Sequence, residues 1–409
     1  MSCPKMQKSI LNLLNGRFNK LIFVIFLTGI GQLSIFMFSV VSVNNLDAVL
    51  LKDIGLVDNT YLIISSVISI GITQYYAKDI ANESTWLESY NKSLSFRLSL
   101  SFLVFVVGLV YLLIEENTVH LILLFAPIIA INGDYALYMR GKTIQAAFSS
   151  FIRNTFPYII LSILIAMGLA VDVIGYILIV GIFLILACLL VNRYLIFSFF
   201  KNFNFKIEWN RLGKIIQVGI GTSFFNVLKN FIFIICAAYW TGIGLATIYA
   251  LLKLYLMFFG VKRMVIQTYI KEIISDKITS VKINYLIGIG GLSVVFLLWL
   301  GGPFYLKWFF DETKLDIQVL HFSLLFIIVC NSFYSVELTR LLALGHYDIY
   351  SAITIVASSI CLLLVWLFNK FQFPIYSIFI LIGLYDLIIS LSCKFLPIYR
   401  LRLVPKRFN

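Results

Sequence analysis

Charge is scarce in this sequence, and negative charge is scarcest: 12% of the 409 residues are charged, with 19 acids against 32 Lys and Arg. Soluble domains carry about 25% charged and about 45–50% apolar residues, whereas this chain is 61% hydrophobic, with a mean hydropathy of +0.98. No soluble core hides that much apolar surface, which excludes an ordinary globular enzyme. Cysteine and histidine are equally sparing. Of six cysteines, Cys188, Cys236, Cys330, Cys361 and Cys393 fall inside apolar runs without CxxC spacing, and only Cys3 lies outside them; they read as small core residues. His120, His321 and His346 have no second ligand at metal spacing, so neither a metal nor a cofactor is expected. A Walker loop, an HExxH pair and a nucleophile elbow with a plausible triad are all missing. Gly288-Ile289-Gly290-Gly291 opens an apolar helix without the strand a dinucleotide site needs, and reads as packing glycine.

What is present is a succession of apolar runs of about 20 residues, the length that crosses about 30 Å of hydrocarbon as a helix. They begin at Leu21 and end at Pro397. The first, Leu21 to Val43, is too long for a signal-peptide core and lacks a cleavage site, so it is kept as a span. The pattern predicts an all-α polytopic membrane protein of about twelve spans, near 20–43, 58–77, 94–114, 119–139, 154–171, 174–197, 215–239, 243–264, 283–303, 319–341, 349–368 and 375–397.

Basic residues set the direction. Of the 32 Lys and Arg, Lys229 and Lys253 sit well inside apolar runs, Lys52, Lys307, Lys314 and Lys370 fall on one side, and the other 26 fall at or beyond the opposite ends of the spans. The positive-inside rule then places both termini in the cytoplasm. The +13 charge punctuates the spans instead of covering one soluble face, so the expected surroundings are membrane lipid and not nucleic acid. The outer loops are too short to fold a catalytic domain. Chemistry or transport must occur among the helices, and transport is the better reading.

The longest central polar break, 201–214, divides the chain into an N-terminal six-helix bundle, 1–200, and a C-terminal one, 215–409. Arg17 and Lys20 precede Gly29-Ile30-Gly31, and Arg211 and Lys214 precede Gly219-Ile220-Gly221, which suggests duplication. Transporters are often built from such repeats, with the pathway between them.

Polar residues at membrane depth mark candidate sites, because a charge there costs about 2.5–3.5 kcal/mol. On span 7, Thr222, Ser223, Asn226, Lys229 and Asn230 recur at steps of three and four and share a face. On span 8, Tyr249 lies one turn from Lys253. Together they fit a hydrated cationic cavity that attracts an anionic group; snorkelling or pairing with a buried acid is the structural alternative. Gln32, with Thr28, Ser39 and Ser42 on span 1, and Ser65, Ser66, Ser69 and Thr73 on span 2, would line the same lumen or ease helix packing. Asp134 and Asp386 would pair with the lysines or carry a coupling proton or sodium ion, while Glu337 is placed to pair with Arg340.

This organisation resembles the Wzx-type O-antigen flippases of the multidrug/oligosaccharidyl-lipid/polysaccharide exporter superfamily. The resemblance covers nearly the whole chain. Its local echoes are Gly29, Gly31 and Gln32, the stretch Asp53-Ile54-Gly55-Leu56-Val57-Asp58, and Pro127 with Tyr138-Met139-Arg140-Gly141. The chain has Asn132-Gly133-Asp134-Tyr135 where many members carry a tryptophan. The resemblance implies a MATE-like pair of bundles in the bacterial inner membrane. It also implies alternating-access transfer of undecaprenyl-pyrophosphate-linked repeat units to the periplasmic leaflet, alongside a polysaccharide polymerase complex. Lys229 and Lys253 would meet the diphosphate, and Asn226, Asn230, Thr222 and Gln32 the sugar hydroxyls. Two rivals stand beside it: an O-antigen polymerase or ligase, against which the short outer loops speak, and a cation-coupled drug exporter, against which the lysines speak.

Overall fold

The backbone follows the apolar runs as helices: α1 (Pro4–Asn45), α2 (Ala48–Ser69), α3 (Trp86–Ile114), α4 (Ala126–Ile131), α5 (Asp134–Met139), α6 (Thr143–Ala166) and α7 (Val173–Val191) in the first half. In the second half come α8 (Ile243–Thr268), α9 (Lys277–Phe309), α10 (Ile317–Ser332), α11 (Glu337–Ala343), α12 (Tyr347–Lys370) and α13 (Tyr376–Phe395). A computed structural model describes residues 4–115, 117–201, 210–220, 242–270, 277–333, 336–343, 345–371 and 376–395, with single residues 230, 233, 234, 237 and 273. Among the described residues no strand occurs, and eight helices are long and apolar enough to cross a membrane. The chain is a multi-pass integral membrane protein. Span 7 and the linker 201–214 fall largely outside the described residues.

Three of the scarce acids start helices. The carboxylates of Asp47, Asp172 and Asp316 accept the backbone N–H of Leu50, Gly175 and Val319 at 2.7, 2.7 and 3.0 Å. Such N-caps satisfy donors that would otherwise be left unpaired at the first turn. The cap at Asp47 corrects one expected boundary, because α2 starts at Ala48 and not near 58. Asp58 therefore lies inside the helix. In the same way α3 starts at Trp86 and α6 at Thr143, so Arg97 and Arg153, counted with the inner-side charges from the sequence, sit well within helices. Lys262, counted with them, is buried in α8.

Span 4 is broken. Pro127 enters α4, and Asn132-Gly133 separates α4 from α5. Gly141, at φ 70°, then turns the chain into α6. Span 10 repeats the order: α10 ends at Ser332, α11 begins at Glu337, and Gly345, at φ 78°, precedes α12. Left-handed backbone suits glycine because it has no Cβ to clash.

α1 belongs to both halves. It packs most extensively against α6 and next against α8. Phe38 joins a core with Ile54, Leu161 and Tyr176, whereas Phe36 and Val40 join another with Leu252 and Leu320. Cys188, Cys330, Cys361 and Cys393 are buried, as core residues should be. Large apolar side chains such as Leu113, Trp299 and Trp308 lie exposed on the outside, where the solvent is lipid.

Candidate functional site

Between α1, α2, α3, α6, α7 and α8 lies a polar cavity of about 440 Å³. Its wall carries four cations, Arg97, Arg153, Lys253 and Arg263, against two carboxylates, Asp58 and Asp134. Amides of Gln32, Asn132 and Asn154 and the hydroxyls of Ser65, Ser66, Ser69 and Thr73 fill the wall between the charges, with Tyr61, Tyr135, Tyr158 and Tyr176 supplying aromatic faces.

Lys253 stands midway along the apolar stretch Ile243–Arg263. Its ammonium pairs with the Asp58 carboxylate, which also accepts the Tyr176 hydroxyl. The charge lies 5.2 Å from the Tyr249 ring centroid and 5.9 Å from that of Tyr158. A buried cation is tolerated when paired and placed over aromatic faces. Asn230 borders a small void shared with Asp58, Tyr249 and Lys253. The Tyr249 hydroxyl there is buried without a hydrogen-bond partner.

Arg97 explains how the break in span 4 survives at membrane depth. Its guanidinium donates to the Asn132 carbonyl at 2.8 Å and to the Ile129 carbonyl at 3.1 Å, replacing helical donors that the break removes. It also lies 5.0 Å from the Tyr135 ring centroid. Beyond the break, Asp134 pairs with Arg153 at 2.9 Å and accepts from the Asn192 amide at 3.4 Å.

The predicted residues are thus distributed unevenly. Gln32 and Lys253 line the cavity, as do the span 2 hydroxyls whose helical period suggested it. Asp134 lines it as half of an ion pair. Asn230 and Tyr249 sit behind Lys253. Asp386 is elsewhere, buried in α13 and 3.7 Å from Lys262. Thr28 and Ser39 turn inward to their own helix, bonding the carbonyls of Val24 and Phe36. Thr222, Asn226, Lys229 and the Glu337 side chain lie outside the described residues.

Sequence reasoning passed over Asp58, Arg97, Arg153, Arg263 and the tyrosines. For Arg97 a signal existed: Ser89, Ser93, Arg97 and Ser101 recur every fourth residue and are all buried. That is a polar stripe along one helix face. Tyrosine in an apolar run carries no such signal.

With a broken fourth and tenth span, a first helix packed against both halves of the chain and a polar cavity among the helices, this is a membrane protein with the fold of the MATE transporters. Solved structures of that fold align over nearly the whole chain. MATE in complex with Br-NRF is 14% identical with a TM-score of 0.60, covering 91% of this chain and 92% of that one. MATE in its bent conformation is 13% identical with a TM-score of 0.60, covering 91% of each chain. An outward-facing multidrug resistance MATE family transporter of the MOP superfamily is 15% identical with a TM-score of 0.59, covering 91% and 92%. No protein-family model and no curated protein matches the sequence.

Proposed function

We propose that this chain is a flippase that carries undecaprenyl-pyrophosphate-linked saccharide repeat units from the cytoplasmic to the periplasmic leaflet by alternating access. The reading rests on one observation above all: a cavity among the spanning helices holds four cations against two carboxylates among sugar-compatible amides, hydroxyls and tyrosines. A diphosphate cannot cross bare hydrocarbon, and such a wall offers it charge and its sugars hydrogen bonds. Each carboxylate in the wall already holds an internal cation, Asp58 with Lys253 and Asp134 with Arg153. A cationic drug would have to displace one of them, so anionic cargo is favoured. In this scheme Gln32, Lys253, Asn230 and Tyr249 serve the cargo, with Lys229, Asn226 and Thr222 added on their sequence pattern. The termini are cytoplasmic, 1–200 and 215–409 act as the two moving bundles, and a polymerase complex receives the product.

The test is surface O-antigen in a bacterial strain lacking its own flippase but making matching precursors, with membrane expression equalised. Restoration by the wild type and its loss in Arg97→Ala or Lys253→Ala is the expected result. Failure of the wild type, with extrusion of cationic dyes instead, would turn the assignment to drug export. Failure with glycan polymerisation in its place would turn it to a polymerase.

A further inference from the structure

A second chamber of about 580 Å³ is lined by α1, α8, α9 and α10. Its character is opposite to the first. The wall is mostly aliphatic and aromatic, and the cation on it, Lys262, is already held by Asn331 at 2.7 Å and by Asp386 at 3.7 Å. Ile25, Leu33 and Leu286 on its wall are exposed.

The two chambers share Gln32 and Phe259. At this boundary α1 and α8 approach very closely, since a Cβ on Gly260 would fall 2.8 Å from Cδ of Gln32. One thin partition therefore separates a cationic, hydrogen-bonding space from an apolar one. Two glycines enlarge the apolar side. A Cβ at Gly29 or Gly290 would meet nothing within 4 Å, so these residues leave open volume and are not packing contacts. That corrects the packing reading for Gly290, while Gly291 beside it does press on Ser332.

We propose that the apolar chamber seats the hydrocarbon tail of the same amphiphile whose anionic head occupies the polar cavity, the chain passing at Gln32 and Phe259. The inference rests on the flippase reading and adds where the tail goes. An apolar chain in this chamber stays out of the charged cavity, whose desolvation would otherwise be costly. The head meanwhile reaches Lys253 and Arg97 without leaving the protein.

The experiment uses the full chain in lipid nanodiscs and a probe of defined chemistry, a farnesyl diphosphate carrying benzophenone at the far end of its tail. After irradiation, peptide mapping is expected to place the adducts on α8 near Phe258 and on α9 near Val294. Gly290→Phe and, from the opposite wall, Gly29→Phe fill the open volume and should cut labelling by about tenfold. Replacing glycine in a helix favours the helix, so folding is expected to survive. The same tail as an alcohol, without the diphosphate, should label weakly and evenly.

Equal labelling by alcohol and diphosphate would mean that bulk lipid fills the chamber, and would overturn the inference. So would labelling unaffected by both phenylalanines. The two readings fail separately. Restored O-antigen with scattered labelling defeats the tail site alone, whereas head-dependent labelling in the chamber without restored O-antigen keeps the site and changes the cargo.

Discussion

Lys253 of α8 and Asp58 of α2 form an ion pair that ties the C-terminal half to the N-terminal half at mid-membrane. The Tyr176 hydroxyl completes the carboxylate's shell from α7. Any rigid-body separation of the two halves at this level must break the pair, and under the proposed function the cargo's charge would take the carboxylate's place.

The pair should therefore behave as a unit. Lys253→Met or Asp58→Asn alone leaves an uncompensated buried charge, at a cost of about 3–5 kcal/mol, whereas removing both charges is close to neutral for stability. Thermal unfolding in detergent should rank the double variant above either single one. Equal destabilisation by each single change, adding up in the double, would show that the two residues do not depend on each other.

Arg97 holds the break in span 4 through two carbonyls. Arg97→Lys keeps the charge but loses the planar fork, and should cost about 1–3 kcal/mol of stability along with most transport. Ser93→Ala, one turn away on the same face, should stay within about 1.5 kcal/mol of wild type, because it removes only one hydrogen bond, to Tyr135. Unfolding curves that rank the two substitutions the other way round would remove Arg97 from this role.

Asn44 closes the predicted outer end. Its amide donates to the Phe309 carbonyl at 2.9 Å, and its side-chain oxygen accepts from the Asp311 N–H at 3.2 Å, joining the ends of α1 and α9. Two such bonds are worth about 0.5–1.5 kcal/mol each. Asn44→Ala should raise outward opening by roughly tenfold, read as alkylation of Gln32→Cys by an impermeant maleimide on intact cells. The same reagent should label Thr313→Cys freely and leave Ser84→Cys untouched. The reverse pattern would invert the orientation.

Sodium is not expected to drive the cycle. Asp134 already holds Arg153, and Asp386 lies beside Lys262, so a sodium ion would have to displace a tethered cation in either place. A proton could neutralise either carboxylate and release its partner. Transport in proteoliposomes should persist when sodium is replaced by choline and collapse when the proton gradient is dissipated. The opposite result would assign coupling to sodium.

Residues 202–209 and most of span 7, where Lys229 and its polar neighbours lie, fall outside the described residues, so this part of the candidate site stands on its sequence pattern. The rest divides by physical cause. Composition alone made this a membrane protein of many helices, because apolar runs of spanning length have no other stable solvent. Helical period alone put Ser65, Ser66 and Ser69 on one face, and that face lines the cavity; Thr73, expected on it, lines the cavity from beyond the end of α2, past the turn at Gly71. Periodicity is a local property and survives into the fold. Tertiary structure decided what no local pattern holds: that Asp58, 195 residues from Lys253 in the chain, is its partner; that Arg97 is buried and Arg153 half-buried, each tied to a partner inside the bundle; and that α1 and α8 together divide a polar chamber from an apolar one. Those outcomes depend on which faces meet, and a buried charge takes its role from the neighbour that compensates it.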